Sequence, residues 1–245
     1  MQRLSRYWAS FIIKKLVNIP YKSVICLFYR QNQNLLIYIS KSITIYILKS
    51  YHEVWGDDMV TERDMRVLEL LTQLRYATTR QLKDTIFNDV SYSVAYRRLK
   101  YLSGNKLINR KYYNIDKNTN SHVYYLDRAP SRKNITHELL ISQFIVELSK
   151  LELDILEVGK GQIYHGIKPD LIVRIRTKAG NKRIIFLEIQ LSKHNCINKY
   201  FNLYKGDIPA ILYVATNNKI ESPQIRGMRV IIDDLNFKKL QFYFS

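Results

Sequence analysis

Residues 168–192, KPDLIVRIRTKAGNKRIIFLEIQLS, set two apolar runs on either side of a Lys-Ala-Gly-Asn-Lys turn, with an acid opening the first run and Glu-Ile-Gln closing the second. β-Branched runs around a short Gly-containing polar turn read as a hairpin. A hairpin this apolar has to lie inside a larger sheet. Downstream, AILYVAT (210–216) is apolar without a break, as a strand covered on both faces is. Upstream, ITHELLISQFIVELSKLEL places Leu139, Leu140, Phe144, Ile145 and Leu148 at helical spacing toward a core. Adding DILEVGKGQIY, the polar amphipathic stretch SKHNCINKYFNLYK, RVIIDDL and QFYFS, the order over 131–245 reads α-β-β-β-α-β with late extra elements. That order predicts an α/β domain around a mixed sheet.

The preceding segment, 59–130, has a different pattern. TERDMRVLELLTQLRY opens with a Thr cap and an acid-rich first turn, and Met65, Leu68 and Leu71 with Val67, Leu70 and Leu74 make a broad apolar face. ATTRQLKDTIF follows, with Thr78 or Thr79 as cap of a short helix presenting Leu82, Ile86 and Phe87. In SYSVAYRRLKYLSGNKLI, ending near Gly104, Val94, Ala95, Leu99 and Leu102 share one side and Ser93, Tyr96, Arg97 and Lys100 the other. LINRKYYNIDKNTNSHVYYLDR then holds two strand-like runs around a DKNTN tip. Three helices and a basic hairpin, with a short second helix before a basic third, is the order of a winged helix-turn-helix domain. The third helix can offer Arg97 and Lys100 to a major groove, and the hairpin can bring Arg110, Lys111 and Lys117 to the neighbouring backbone. Ser91 to Ile115 contains six basic residues and no acid, interleaved with tyrosines that can bond phosphates or stack on sugars. A winged helix that docks protein instead of DNA is the alternative at this point.

Charge favours DNA. Against 21 acidic residues stand 39 basic ones, a net charge of +18 spread over the whole chain, and such a surplus points to a polyanionic partner. Cys26 and Cys196 have no C-x-x-C spacing, which supports neither a disulfide framework nor a zinc knuckle and fits a cytoplasmic protein. Residues 1–58 are basic and apolar with poor periodicity. Their longest apolar run, Leu35 to Leu48, contains Lys41 and falls short of the ~20 residues a membrane span requires, so no membrane partner is expected. EVWGDD before Met59 can be encoded by a purine-rich stretch resembling a ribosome-binding site. The expectation is a biological start at Met59, with 1–58 an atypical leader read from upstream sequence; a membrane-surface segment and a small β element are the alternatives.

The acids carry the candidate chemistry. Alternation along a strand puts Glu188 and Gln190 on one face, toward Asp170, where hard oxygen ligands could hold a divalent cation. A metal there activates water and stabilises the charged transition state of phosphodiester cleavage. Pro169-Asp170 and Glu188-Ile189-Gln190 resemble the PD-(D/E)xK nuclease core, an acid at the start of one strand and Glu-x-Lys at the end of the next. The resemblance implies a restriction-endonuclease-like fold, Asp170, Glu188 and Gln190 as catalytic positions, Mg2+ as cofactor, and Glu138 on the upstream helix as a further metal ligand beside Asp170 and Glu188. Gln190 departs from the motif's Lys. Some restriction enzymes of that superfamily carry Gln there and remain active, and Lys193 or Lys199 could bring an ammonium to the place the motif gives its lysine. Strand-end acids on an inactive fold are the alternative. His52, His122, His137, His165 and His194 show no metal spacing; His137 beside Glu138 and His165 just before the Pro-Asp strand can approach the candidate site, although a surface or hydrogen-bonding role is expected for each. No Gly-rich phosphate loop and no G-x-S-x-G turn occurs, which leaves NTPase and serine hydrolase readings without support.

Together, TERDMRVLELL…YATTRQL, YRRLKYLSGNKLI and PD…FLEIQ…NKYFNLY resemble the replication-relaxation family of plasmids and integrative elements, from about residue 59 to about 220. Many members carry Glu-x-Asp followed by a helix ending in Lys and Tyr, corresponding here to Glu188, Gln190, Lys199 and Tyr200. The resemblance implies a winged helix joined to a nuclease-like domain (α+β and α/β), acting as a DNA-binding accessory protein of plasmid replication or conjugative mobilisation. Its implied partners are double-stranded DNA and relaxase or replication proteins, with a homodimer open to it. An active Mg2+-dependent endonuclease with Gln for Lys, and a winged-helix transcriptional regulator, are the competing functions.

Overall fold

Glu62 and Asp64 place negative charge at the positive end of the first helix, α1 (Glu62–Leu74). The structure, a computed structural model, describes residues 60–116, 119–151, 153–193, 196–201 and 209–244. The leader expected at 1–58 lies outside them, as do Lys117 and His194. Val67, Leu71 and Leu74 are buried, with Met65, Leu68 and Leu70 half-buried beside them. Asp64 is also fully buried, because Arg98 reaches it from the third helix with Nε 2.9 Å from Oδ1.

A two-residue strand β1 (Ala77–Thr78) leads into α2 (Thr79–Thr85). Thr78 caps it in a reciprocal box: the Gln81 N–H donates to the Thr78 hydroxyl at 3.2 Å, and the Thr78 N–H donates to Gln81 Oε1 at 2.9 Å. α3 (Tyr92–Gly104) starts at Ser91, whose hydroxyl accepts from the Val94 N–H, and buries Ala95, Leu99 and Leu102. Val94, expected among them, is 39% exposed; one step of 100° from Ala95 and in the first turn, it lies past the edge of the buried stripe.

β2 (Asn109–Asp116) and β3 (Thr119–Tyr125) form an antiparallel hairpin, and β1 joins it in the order β1-β3-β2. One face of the hairpin puts Tyr124 into a core with Ala77, Leu82, Leu99 and Leu102. The other packs Tyr113 and Val123 on Ile135 and Leu139. Those two belong to α4 (Ile135–Ser149), which also buries Ile141, Ser142, Phe144, Ile145, Val146 and Leu148. Polar cross-links tie it to the segments before it: the Ser142 hydroxyl donates to the Tyr76 carbonyl at 2.6 Å, and Gln81 Nε2 to the Leu139 carbonyl at 2.8 Å.

The five-stranded sheet runs β4 (Asp154–Lys160), β5 (Leu171–Arg176), β6 (Lys182–Gln190), β7 (Ala210–Thr216), β8 (Met228–Asp233) in spatial order. β4, β5 and β6 pair antiparallel, whereas β6, β7 and β8 pair parallel, so the sheet is mixed and the protein is α+β. Gly180 at φ 79° makes the tight β5–β6 turn that a side chain would strain. Every residue of β7 is buried, as its unbroken apolar sequence requires. Odd-numbered residues of β5 to β7 pack on α4 and on a short helix α5 (Leu240–Phe244); even-numbered ones face Ile197 and Tyr200. In the stretch expected as an amphipathic helix between β6 and β7, the described residues form a 3-10 turn, Asn198–Tyr200. A 3-10 turn brings positions three apart onto one side, which suits Ile197 and Tyr200 to the same sheet face. Among the described residues no helix is long and apolar enough to cross a membrane.

Candidate functional site

Leu171 pairs with Leu187, so Asp170 and Glu188 occupy the next cross-strand position beyond the last β5–β6 pair. The sheet therefore brings the two acids side by side. Asp170 is fixed by the strand end: its N–H donates to the Leu187 carbonyl at 3.1 Å, and its Oδ2 accepts from the Ile189 N–H at 2.8 Å. The same oxygen lies 3.0 Å from His137 Nε2 of α4. That hydrogen bond raises the imidazole above its ordinary 6.5, against the opposing effect of burial.

Glu188 is 4% exposed. Its Oε1 accepts from the Tyr200 hydroxyl at 2.5 Å and pairs with the Lys199 ammonium at 2.8 Å. Lys199 also donates to the Lys168 carbonyl at 3.0 Å. Burial pushes the Glu188 carboxyl above its ordinary range, the neighbouring Asp170 charge adds to this, and Lys199 and Tyr200 work against it. Burial likewise raises the Tyr200 hydroxyl, keeping it a donor. Lys199 thus stands against Glu188, where Gln190 offers no charge.

Gln190 is buried, and its Oε1 accepts from the Cys196 thiol at 3.0 Å while its main-chain carbonyl accepts from the Thr216 hydroxyl at 2.9 Å. Burial pushes that thiol up to about 11, so it remains a protonated donor. Glu138 lies on α4 as expected and pairs with Lys160 of β4. The same ammonium donates to the Leu74 carbonyl at 2.9 Å, and burial lowers its pKa although Glu138 opposes this.

A bound Mg2+ needs an octahedron of oxygens with free lone pairs. Asp170, Glu188 and Glu138 do not gather into one such set among the described residues, and each already has a protein partner on one oxygen: Lys199 and Tyr200 on Glu188, Lys160 on Glu138, His137 and the Ile189 N–H on Asp170, while the Gln190 amide oxygen takes the Cys196 thiol. Among the described residues, no three of His, Cys, Asp and Glu gather into a group that could hold a metal ion. His137 takes the hydrogen-bonding place beside the acids that its sequence position suggested, whereas Lys160 and Cys196 are members sequence reasoning did not place. His137 adjoins Glu138 in sequence, but Lys160 carries no local signal, since its role arises from a contact with a helix end 86 residues away.

The second cluster surrounds α3. Ser93, Arg97 and Lys100 are exposed and Tyr96 is half-buried. Among the described residues neither Arg97 nor Lys100 pairs with a carboxylate, whereas Arg98, between them, is held by Asp64, whose hydrogen bond raises the guanidinium pKa further. Strand alternation separates the hairpin cations. Arg110 pairs with Tyr124 on the face turned to α3; Lys111 pairs with Val123 on the face turned to α4, its ammonium 5.6 Å from the Tyr113 ring. Directly across from Tyr112 is His122, whose ring lies 5.1 Å from that of Tyr112 and 5.8 Å from that of Tyr96. Burial lowers the His122 pKa, with Arg110 adding to the effect.

No curated protein and no solved structure gives a significant match to the chain. A family model described as replication-relaxation matches residues 68–198, which run from α1 through the acid cluster to the turn carrying Lys199. That match covers more than half of the 245 residues and includes Arg97, Glu138, Asp170, Glu188 and Gln190, and on it the chain belongs to the replication-relaxation family.

Proposed function

We propose that this chain is a DNA-binding accessory protein of plasmid replication or conjugative mobilisation. In this reading α1 to α3 and the β2–β3 hairpin act as a winged helix-turn-helix over 59–130. The sheet of 131–245, nuclease-like in its placement of Asp170 and Glu188, acts as a scaffold for DNA or for relaxase and replication proteins without cleaving. The observation that carries the reading is the outer face of α3. Arg97 and Lys100 stand exposed there with no carboxylate partner among the described residues, on a segment that holds no acid from Ser91 to Ile115. The inner acids support the second half of it, since each already has a protein partner with which a catalytic ion would have to compete.

Duplex binding measured across a salt series tests this reading. Arg97→Ala with Lys100→Ala is expected to weaken binding at least tenfold and to flatten the slope of log K against log salt by about 1 per lost phosphate contact. An unchanged slope and affinity would show that α3 does not face DNA.

A further inference from the structure

The hairpin carries a feature that a groove-docking duplex does not use. Tyr112 and His122 are direct cross-strand partners with rings in edge contact, and Tyr96 of α3 closes on the other side of His122. Three rings thus form a continuous ledge from hairpin to helix. Its outer member, Tyr112, is 59% exposed and open to a ligand. On the same face of the hairpin two buried nitrogens, Arg110 Nη1 and His122 Nδ1, have no hydrogen-bond partner among the described residues. Unmade hydrogen bonds at buried polar nitrogens are costly, and a ligand that offers acceptors removes the cost. An exposed ring, unsatisfied nitrogens on the same face, and the cations Arg97 and Lys100 of α3, which have no carboxylate partner among the described residues, describe a receptor for one flat heteroaromatic group attached to an anionic chain.

We propose that the Tyr112–His122–Tyr96 ledge stacks an unpaired nucleobase of single-stranded DNA, with Arg110 and His122 meeting its phosphate or base edge. In a duplex the bases are stacked on one another and present only their edges, so the ledge distinguishes an opened strand from a closed one. The inference rests on the DNA-binding reading and refines its substrate to DNA that is at least partly unpaired.

The test compares the full chain with Tyr112→Ala and Tyr112→Phe, by fluorescence anisotropy at low salt, on a labelled unstructured single-stranded oligonucleotide and on a blunt duplex of equal length. The expected result is a loss of about fivefold or more on the single strand for Tyr112→Ala, a loss of less than twofold for Tyr112→Phe, and duplex affinity within twofold for both. An unchanged melting temperature confirms that the exposed substitution leaves the fold intact. Three results overturn the inference. Tyr112→Ala could bind the single strand as well as the parent does. Tyr112→Phe could lose as much as Tyr112→Ala, making the hydroxyl and not the ring the contact. Both DNAs could lose equally. If the parent binds neither DNA, the DNA-binding reading fails together with this one; if it binds the duplex alone, only this one fails.

Discussion

Glu188 is a buried carboxylate whose charge is held by one lysine and one phenol, and the two partners are not equivalent. Lys199→Met leaves the carboxylate buried with Tyr200 as its side-chain donor, and should destabilise the fold by about 2 kcal/mol at neutral pH. Glu188→Gln should cost less than ~1 kcal/mol, because an amide oxygen still accepts from Tyr200 and the Lys199 side chain, 37% exposed, can turn to water. Since the folded Glu188 pKa is raised, its ionisation is a burden that exists above the ordinary 4.5 and disappears below it. The penalty of Lys199→Met should therefore shrink at acid pH, which urea midpoints at about pH 4.5 and about pH 7.5 will show. Asp170 and Glu188 were legible in the sequence because strand ends announce themselves. Lys199 and Tyr200, the partners of Glu188, lie close enough in sequence to be named with it, whereas the pairing of His137 with Asp170 spans 33 positions and that of Glu138 with Lys160 spans 22. Spacing rules describe neighbours on one element, and these pairs join different ones.

Among the elements, α2 shows how one side chain can serve two purposes. Gln81 completes the Thr78 capping box and also holds the Leu139 carbonyl of α4, so Gln81→Ala should destabilise more than Thr78→Ala, for which loss of a cap predicts about 1 kcal/mol. Denaturant unfolding of the two variants side by side checks the order. The helices α1, α2 and α3 and all five strands of the large sheet could be read from periodicity, and the burial of β7 from its unbroken apolar run. The apolar face of α4 could be read in the same way, but the partners of its polar residues could not: in the fold Glu138 meets Lys160, Ser142 donates to the Tyr76 carbonyl, and Gln143 accepts from Gln81. A polar residue consumed by a distant partner looks the same in sequence as one facing water. The alternation that divides Arg110 from Lys111 was available in the sequence, but it could be applied only once the register was known.

For the whole molecule, a net charge of +18 and acids that already carry protein partners lead to the same expectation about nucleic acid, which is attraction without cleavage. Supercoiled plasmid incubated with the protein and Mg2+ or Mn2+ should show no nicking beyond that of Asp170→Ala. Metal-dependent nicking abolished by Asp170→Ala would instead restore a catalytic role to the acid pair.

α4 has the hairpin on one side and the large sheet on the other, and it presents His137 to Asp170 from the same turn that meets Tyr113. A close-packed interior passes displacement on instead of absorbing it. A displacement of the hairpin would therefore be carried through α4 to the imidazole that meets Asp170.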